Sequence, residues 1–250
     1  MVDNFDLIKN HLEFNKPGDF FHILITRRAK DVGAKGNLQV LEFHHAHSID
    51  YFTSERIEKF KKIADENDAR VMINMNRKNK LAVAYRLQNL LNQKFRQYTS
   101  MQTEALLRGD IEGGLKAIDT VFRGIFGFVD TATGQIGGTD NTKDKESEKD
   151  GADDKNGARW LFDLDNIATD WNEERLERFR NLIKMQKGAD QENRIVCEVP
   201  TRSGLHIITR VNFNINDLLN SKEYKEEFHD VVLHKNNYTI LYIPEHLCNK

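Results

Sequence analysis

RWLFDLD, residues 159–165, is the stretch on which the reading of this chain turns. An apolar run ends in two aspartates separated by one leucine. Side chains repeat every second residue along a β-strand, so Asp163 and Asp165 project from one face. Two adjacent carboxylates repel each other and resist desolvation unless a positive charge lies between them. A divalent cation supplies that charge, and an oxygen-only donor set favours Mg2+ or Mn2+. Asp-x-Asp ahead of a helix also serves as turn and capping chemistry. The apolar run before the pair, and a separate helix cap expected at Asp170, favour the metal.

Working outward, the residues after this strand give a recognisable order. Asp170-Trp-Asn-Glu173 predicts a capping box opening a helix that ends near Gly188, with Leu176, Phe179 and Ile183 as its buried stripe. Strands follow at 193–199 and 205–211, then a helix at about 215–227 and two short apolar runs at 230–234 and 238–243. The order β-α-β-β-α-β, plus one extra strand, is the split βαβ or ferredoxin-like arrangement also used by RNA-recognition modules. In it the first and third strands are central neighbours and the fourth flanks the first. Asp163, Asp165, His206 and Asp230 then fall at one end of the sheet. Parity leaves the face of each open, because a slip of one residue reverses it.

Upstream, residues 1–129 read as an α/β module. Strands are predicted at 20–28, 38–43 and 70–76, and a helix capped by Thr53 or Ser54 presents Ile57, Phe60 and Ile63. A strong helix spans 79–95 with Leu81, Tyr85, Leu87, Leu91 and Phe95 on its apolar side, and more helix follows at 101–125, broken near Gly109 and Gly113. The aromatics at helical spacing, Phe60, Tyr85, Phe95 and Phe179, read as core. Residues 130–158 have almost no large apolar side chain, and 139–156 hold four lysines against seven acids. Such a segment cannot offset its ordering entropy by burial, so it reads as a flexible acidic loop between this module and a third region, 159–250. The expected fold is α+β, an N-terminal α/β module packed on a C-terminal RRM-like catalytic module.

The net charge of −2 gives no global nucleic-acid footprint, although a local basic groove is compatible with it. Arg27 and Arg28, with Lys30, and separately Arg77 and Lys78, with Lys80, follow predicted strand ends and could line such a groove. No apolar run reaches the length of a membrane span, and the N-terminus lacks a secretory signal pattern, so no membrane partner and a cytoplasmic location are expected. Two cysteines outside any CxxC pattern argue against a disulfide framework or a thiolate zinc site. His44, His45 and His47 have no second cluster at ligand spacing and read as edge-strand or loop residues.

At these residues the chain resembles the archaeo-eukaryotic primase superfamily, in particular the primase-polymerases of viruses, phages and mobile elements. Asp163-Leu-Asp165 matches the aspartate pair of the family's first core strand. Thr201-Arg-Ser-Gly-Leu-His206-Ile-Ile is similar to its TPSGGxHxxF turn, with one glycine instead of two and Arg202 in place of proline. Asp230-VVLHKNNYTILYIP resembles a third motif, with Asn236 and Asn237 where the family has glycines. The similarity covers about residues 159–244. It implies a nucleotidyltransferase in which Asp163, Asp165 and Asp230 are catalytic and hold two Mg2+ or Mn2+ ions. His206 would then contact the phosphates of a nucleoside triphosphate. Ser203 and the amides around Gly204 would add hydrogen bonds to them, and Arg202 a charge-assisted contact. The implied partners are nucleoside triphosphates, single-stranded or primed nucleic acid, and replication proteins such as a helicase. Two other readings stand beside it. One is an inactive primase-like module that only binds nucleic acid or nucleotide. The other is a haloacid-dehalogenase-type phosphatase, suggested by FDLDN, which would need a doubly wound α/β domain.

Overall fold

The computed structural model describes residues 1–33, 39–113, 158–188, 191–235 and 238–248. It is a mixed α and β chain built on antiparallel sheets. The N-terminal elements are β1 (Val2–Asp3), α1 (Phe5–Lys9), β2 (Asp19–Arg27), β3 (Gln39–Ala46), α2 (Ser54–Glu66), β4 (Arg70–Asn74), β5 (Lys78–Asn79) and α3 (Lys80–Leu107). After residue 158 come β6 (Arg159–Leu164), α4 (Ile167–Asp170), α5 (Glu173–Lys184), β7 (Ile195–Pro200) and β8 (Leu205–Arg210). They are followed by α6 (Ile215–Asn220), α7 (Lys222–Glu227), β9 (Val232–His234), β10 (Tyr238–Ile243) and α8 (Glu245–Cys248).

The second sheet has the order β7-β8-β6-β9, so β6 lies between two antiparallel neighbours. That surrounding is unlike the parallel sheet a haloacid-dehalogenase site requires. The first sheet has the order β1-β10-β4-β2-β3, with β5 pairing the start of β2. Its composition departs from the boundary expected at 159–250. The extra strand, Tyr238–Ile243, leaves the second sheet and sits between β1 and β4. Its buried run Ile240–Ile243 is apolar on both faces, which suits an interior strand and would leave an edge strand's outer face exposed.

Strand parity joins the modules. Trp160, Phe162, Leu164 and Ile207 pack beneath Phe179 and Ile183 of α5. The alternate residues Leu161 and Ile208 share a core with Ile23, Ile73 and Leu241 of the first sheet and Phe60 of α2. The second sheet is therefore covered on both faces, by helices on one and by the N-terminal module on the other.

Local chemistry explains most element ends. Thr53 caps α2 by accepting the Arg56 N–H at 3.2 Å. The helix after β6 starts later than expected: its cap is Asn172, whose Oδ1 accepts the Arg175 N–H at 2.7 Å, while Asp170 closes α4. The predicted helix at 215–227 is two helices that meet at Ser221, whose ψ of 149° is extended. Helix α3 runs through the first predicted segment and into the start of the second, ending at Leu107, and the chain turns at Gly109 with φ of 74°. Leu81, Tyr85 and Phe95 are not core: they are 78%, 69% and 50% exposed, whereas Phe60 and Phe179 are buried. The acidic segment 130–157 and the predicted helix beyond 113 lie outside the described residues. Among the described residues no helix is long and apolar enough to cross a membrane.

Candidate functional site

Asp163 and His206 are directly opposite each other across the β6–β8 pair, on the face turned to the N-terminal module. Directly opposed residues are the closest neighbours two strands offer. Here His206 Nε2 stands 3.4 Å from Asp163 Oδ1. On the other side of β6, strand β9 brings His234 Nε2 to 4.0 Å from Asp163 Oδ2. The other nitrogen of His206 is held from the first sheet, with Nδ1 2.8 Å from the Thr239 hydroxyl. His206 is buried, while Asp163 is half-buried.

Asp165 follows the end of β6 and is exposed. The chain reverses beside it at Asn166, which adopts a left-handed φ of 54°. The next amide, Ile167 N–H, donates to the Ser203 carbonyl at 2.9 Å and ties this reversal to the β7–β8 turn. Arg28, at the end of β2, completes the constellation from the N-terminal module. Burial and Arg70 lower its pKa, and the fields of Asp31, Asp163 and Asp165 oppose that shift. The Arg28 guanidinium is therefore within electrostatic range of both aspartates.

Other expected site residues lie elsewhere. Asp230 precedes β9 at the same end of the sheet, but its carboxylate is turned to the helical layer. Oδ1 accepts from Arg175 Nη2 at 2.8 Å, and the Arg175 guanidinium lies 4.1 Å from the Trp171 ring centroid. The third carboxylate is thus not assembled with the pair. Among the described residues no group of three His, Cys, Asp or Glu side chains is placed to hold a metal ion. Arg202 and Ser203 are exposed in the turn. Gly204 serves backbone packing: a Cβ there would lie 2.2 Å from the Leu164 carbonyl oxygen. Its N–H donates to Thr201 Oγ1 at 3.0 Å and is not presented to an anion.

The basic residues expected to line a groove divide. Arg27 and Arg28 are half-buried at the end of β2. Arg77 is buried with Nε 3.1 Å from Asp19 Oδ2, and Lys78 is fully buried, its pKa pushed down to about 8 by desolvation. Both belong to the interior and not to a solvent groove. His234 and Thr239 were not singled out in the sequence. The alternation Val232-Leu-His234 on a strand beside Asp163 was the available signal for the first, and nothing local marked the second.

No protein-family model, curated protein or solved structure matches this chain. The geometry of the site and the sequence motifs carry the functional reading.

Proposed function

We propose that this protein is a metal-dependent nucleotidyltransferase of the primase-polymerase type, transferring a nucleotide to a 3′-hydroxyl during nucleic-acid replication. The observation that carries it is Asp163 set against His206 at a sheet end, with Asp165 two residues on and Arg28 of the other module within electrostatic range of both. The strand order of the second sheet, with the first and third strands central, supports a ferredoxin-like, RRM-like reading of that module.

Two carboxylates fit an ion that arrives with its substrate, because Mg2+ is commonly held by one or two carboxylates plus phosphate oxygens and water. Asp163 and Asp165 are the residues that would hold it. When bound, such an ion would lower the pKa of the attacking hydroxyl and neutralise charge on the departing pyrophosphate. The chain's own residues position the reactants. The Thr239 hydroxyl holds His206 by Nδ1, and in the tautomer where that hydroxyl donates, the Nε2–H is aimed at Asp163 and at a phosphate oxygen bound beside it. Arg28 adds positive charge where the triphosphate's negative charge gathers. Arg202 and Ser203, exposed in the adjoining turn, lie within the same module edge.

Purified protein given a primed template, nucleoside triphosphates and Mg2+ or Mn2+ is expected to extend the primer. The Asp163→Ala/Asp165→Ala double variant should lose at least 100-fold of that rate, since it removes the charges that concentrate the cation. Wild type and variant that are equally inert overturn the enzymatic reading. The Asp230–Arg175 pair favours one alternative, a primase-like module that binds nucleotide without turnover. Calorimetry separates them: metal-dependent nucleotide binding without primer extension selects the binder.

A further inference from the structure

The opposite face of the first sheet carries a second arrangement, unconnected with the aspartates. Pairing of β2 with β3 sets Phe20, His22 and Leu24 beside His47, His45 and Phe43, all on the face turned away from the shared core. Along β3 and its continuation the rings form a ladder. Phe43 and His45 centroids are 6.1 Å apart, His45 and His47 6.3 Å, and His47 and Tyr51 6.3 Å, and the Arg56 guanidinium stacks on Tyr51 at 4.0 Å. The first two spacings follow from extended chain, in which every second residue returns to one face about 6.6–6.8 Å on, and Tyr51 is added from the single helical turn Ile49–Tyr51. Phe43 is 54% exposed and His47 is also exposed, whereas His45 and Tyr51 are half-buried, so Phe43 and His47 are the rings open to solvent.

Two cations stand at the ladder's rim: Lys80, exposed at the start of α3 and within electrostatic range of His45 and His47, and Arg56 over Tyr51. An exposed acid, Asp50, lies in the turn that carries Tyr51. Glu42, whose field reaches Tyr51, is engaged by His44 at 2.9 Å. Flat rings at regular spacing with cations on their rim are what a single nucleic-acid strand requires: bases stack on the rings and phosphates meet the lysine and arginine. A purely apolar partner would leave the cations unmatched, and an acidic partner without flat rings would leave the exposed Phe43 and His47 rings unstacked.

We infer that the Phe43–His45–His47–Tyr51 ladder, with Lys80 and Arg56 at its rim, is a stacking platform for single-stranded nucleic acid. The inference deepens the replication reading by naming where an unpaired template strand runs, on the sheet face opposite the aspartates. It is tested apart from catalysis, on the full chain in chelator without nucleotide, by fluorescence anisotropy of labelled (dT)20. Wild type is expected to bind with a clear salt dependence. Phe43→Ala, which removes an exposed ring and no core contact, should weaken binding roughly tenfold, and Phe43→Trp should restore it. Lys80→Glu should weaken binding and flatten its salt dependence. Failure of wild type to bind (dT)20 at low salt overturns the platform, as do Phe43→Ala and Lys80→Glu proteins that bind like wild type. Primer extension that survives unweakened binding by those variants leaves the nucleotidyltransferase reading standing while the platform falls. Binding that follows the ladder in a protein unable to extend primers does the reverse.

Discussion

His22 is fully enclosed in the middle of β2, with Nδ1 2.7 Å from the Tyr238 hydroxyl. Burial, then the fields of His45, Lys78 and His44, push its pKa down to about 4 from an ordinary value of 6.5. The folded state therefore prefers the neutral ring more than the unfolded state does. The stability tied to it is complete above pH 6.5 and is lost as pH falls toward and through 4. The size is on the order of 3 kcal/mol by pH 4. Urea denaturation across that window should show unfolding free energy falling on acidification, with a shallower fall for His22→Asn. An equally steep fall in the variant would assign the effect to other groups. At this same scale the sequence showed which side chains carry chemistry but not where each one points. Asp163 and His206 meet because the β6–β8 register sets them directly opposite each other, a choice between registers that neither RWLFDLD nor LHIITR makes by itself. Asp230 does not join them because the short stretch before β9 bends and Arg175 captures its carboxylate, a contact between residues 55 apart with no local sign.

Elements are held by contacts of two kinds, and these differ in how legible they are. Caps are local: Thr53 at the start of α2 was readable from its own neighbourhood. Arg194 is the opposite case. Its guanidinium is fully buried after α5, with Nη1 donating to the carbonyls of Ile183, Lys184 and Gln186 at 2.7–2.9 Å and the plane 4.7 Å from the Phe213 ring centroid. One side chain thus satisfies the orphan carbonyls at a helix C-terminus and complements its dipole. Arg194→Leu should cost roughly 3 kcal/mol, since several buried acceptors lose their donor at once. A shift of the urea midpoint at unchanged slope would record it, and a midpoint like wild type would refute the capping role. Helix α3 shows where periodicity misleads. Leu81, Tyr85 and Phe95 form an apolar stripe in sequence, yet they are exposed, because an amphipathic face states a preference for burial without supplying the surface that buries it.

Across the whole molecule the two sheets are stapled by a few buried polar groups. Asn76 is the clearest: its Oδ1 accepts the N–H of Arg159 at the start of β6 at 2.5 Å, and its Nδ2 donates to the Lys235 carbonyl after β9 at 3.3 Å. Asn4 similarly donates to Pro200 on β7 and Ile240 on β10. Asn76→Ala leaves the Arg159 amide and the Lys235 carbonyl without that partner and should lower stability by about 2 kcal/mol. Hydrogen exchange at the β6 amides should quicken in the same variant, and unchanged exchange there would show that the staple does not hold the sheets in register. The mixed α and β class and the antiparallel strand sequence follow from local alternation and capping, which depend on a few neighbouring residues, whereas the register that sets Asp163 opposite His206 does not. The passage of Tyr238–Ile243 into the first sheet, the loss of Arg77 and Lys78 to the interior, and the orientation of Asp230 depend on which distant surfaces meet. Those outcomes are set by long-range burial and pairing free energies that no short window of sequence contains, so only the folded chain decides them.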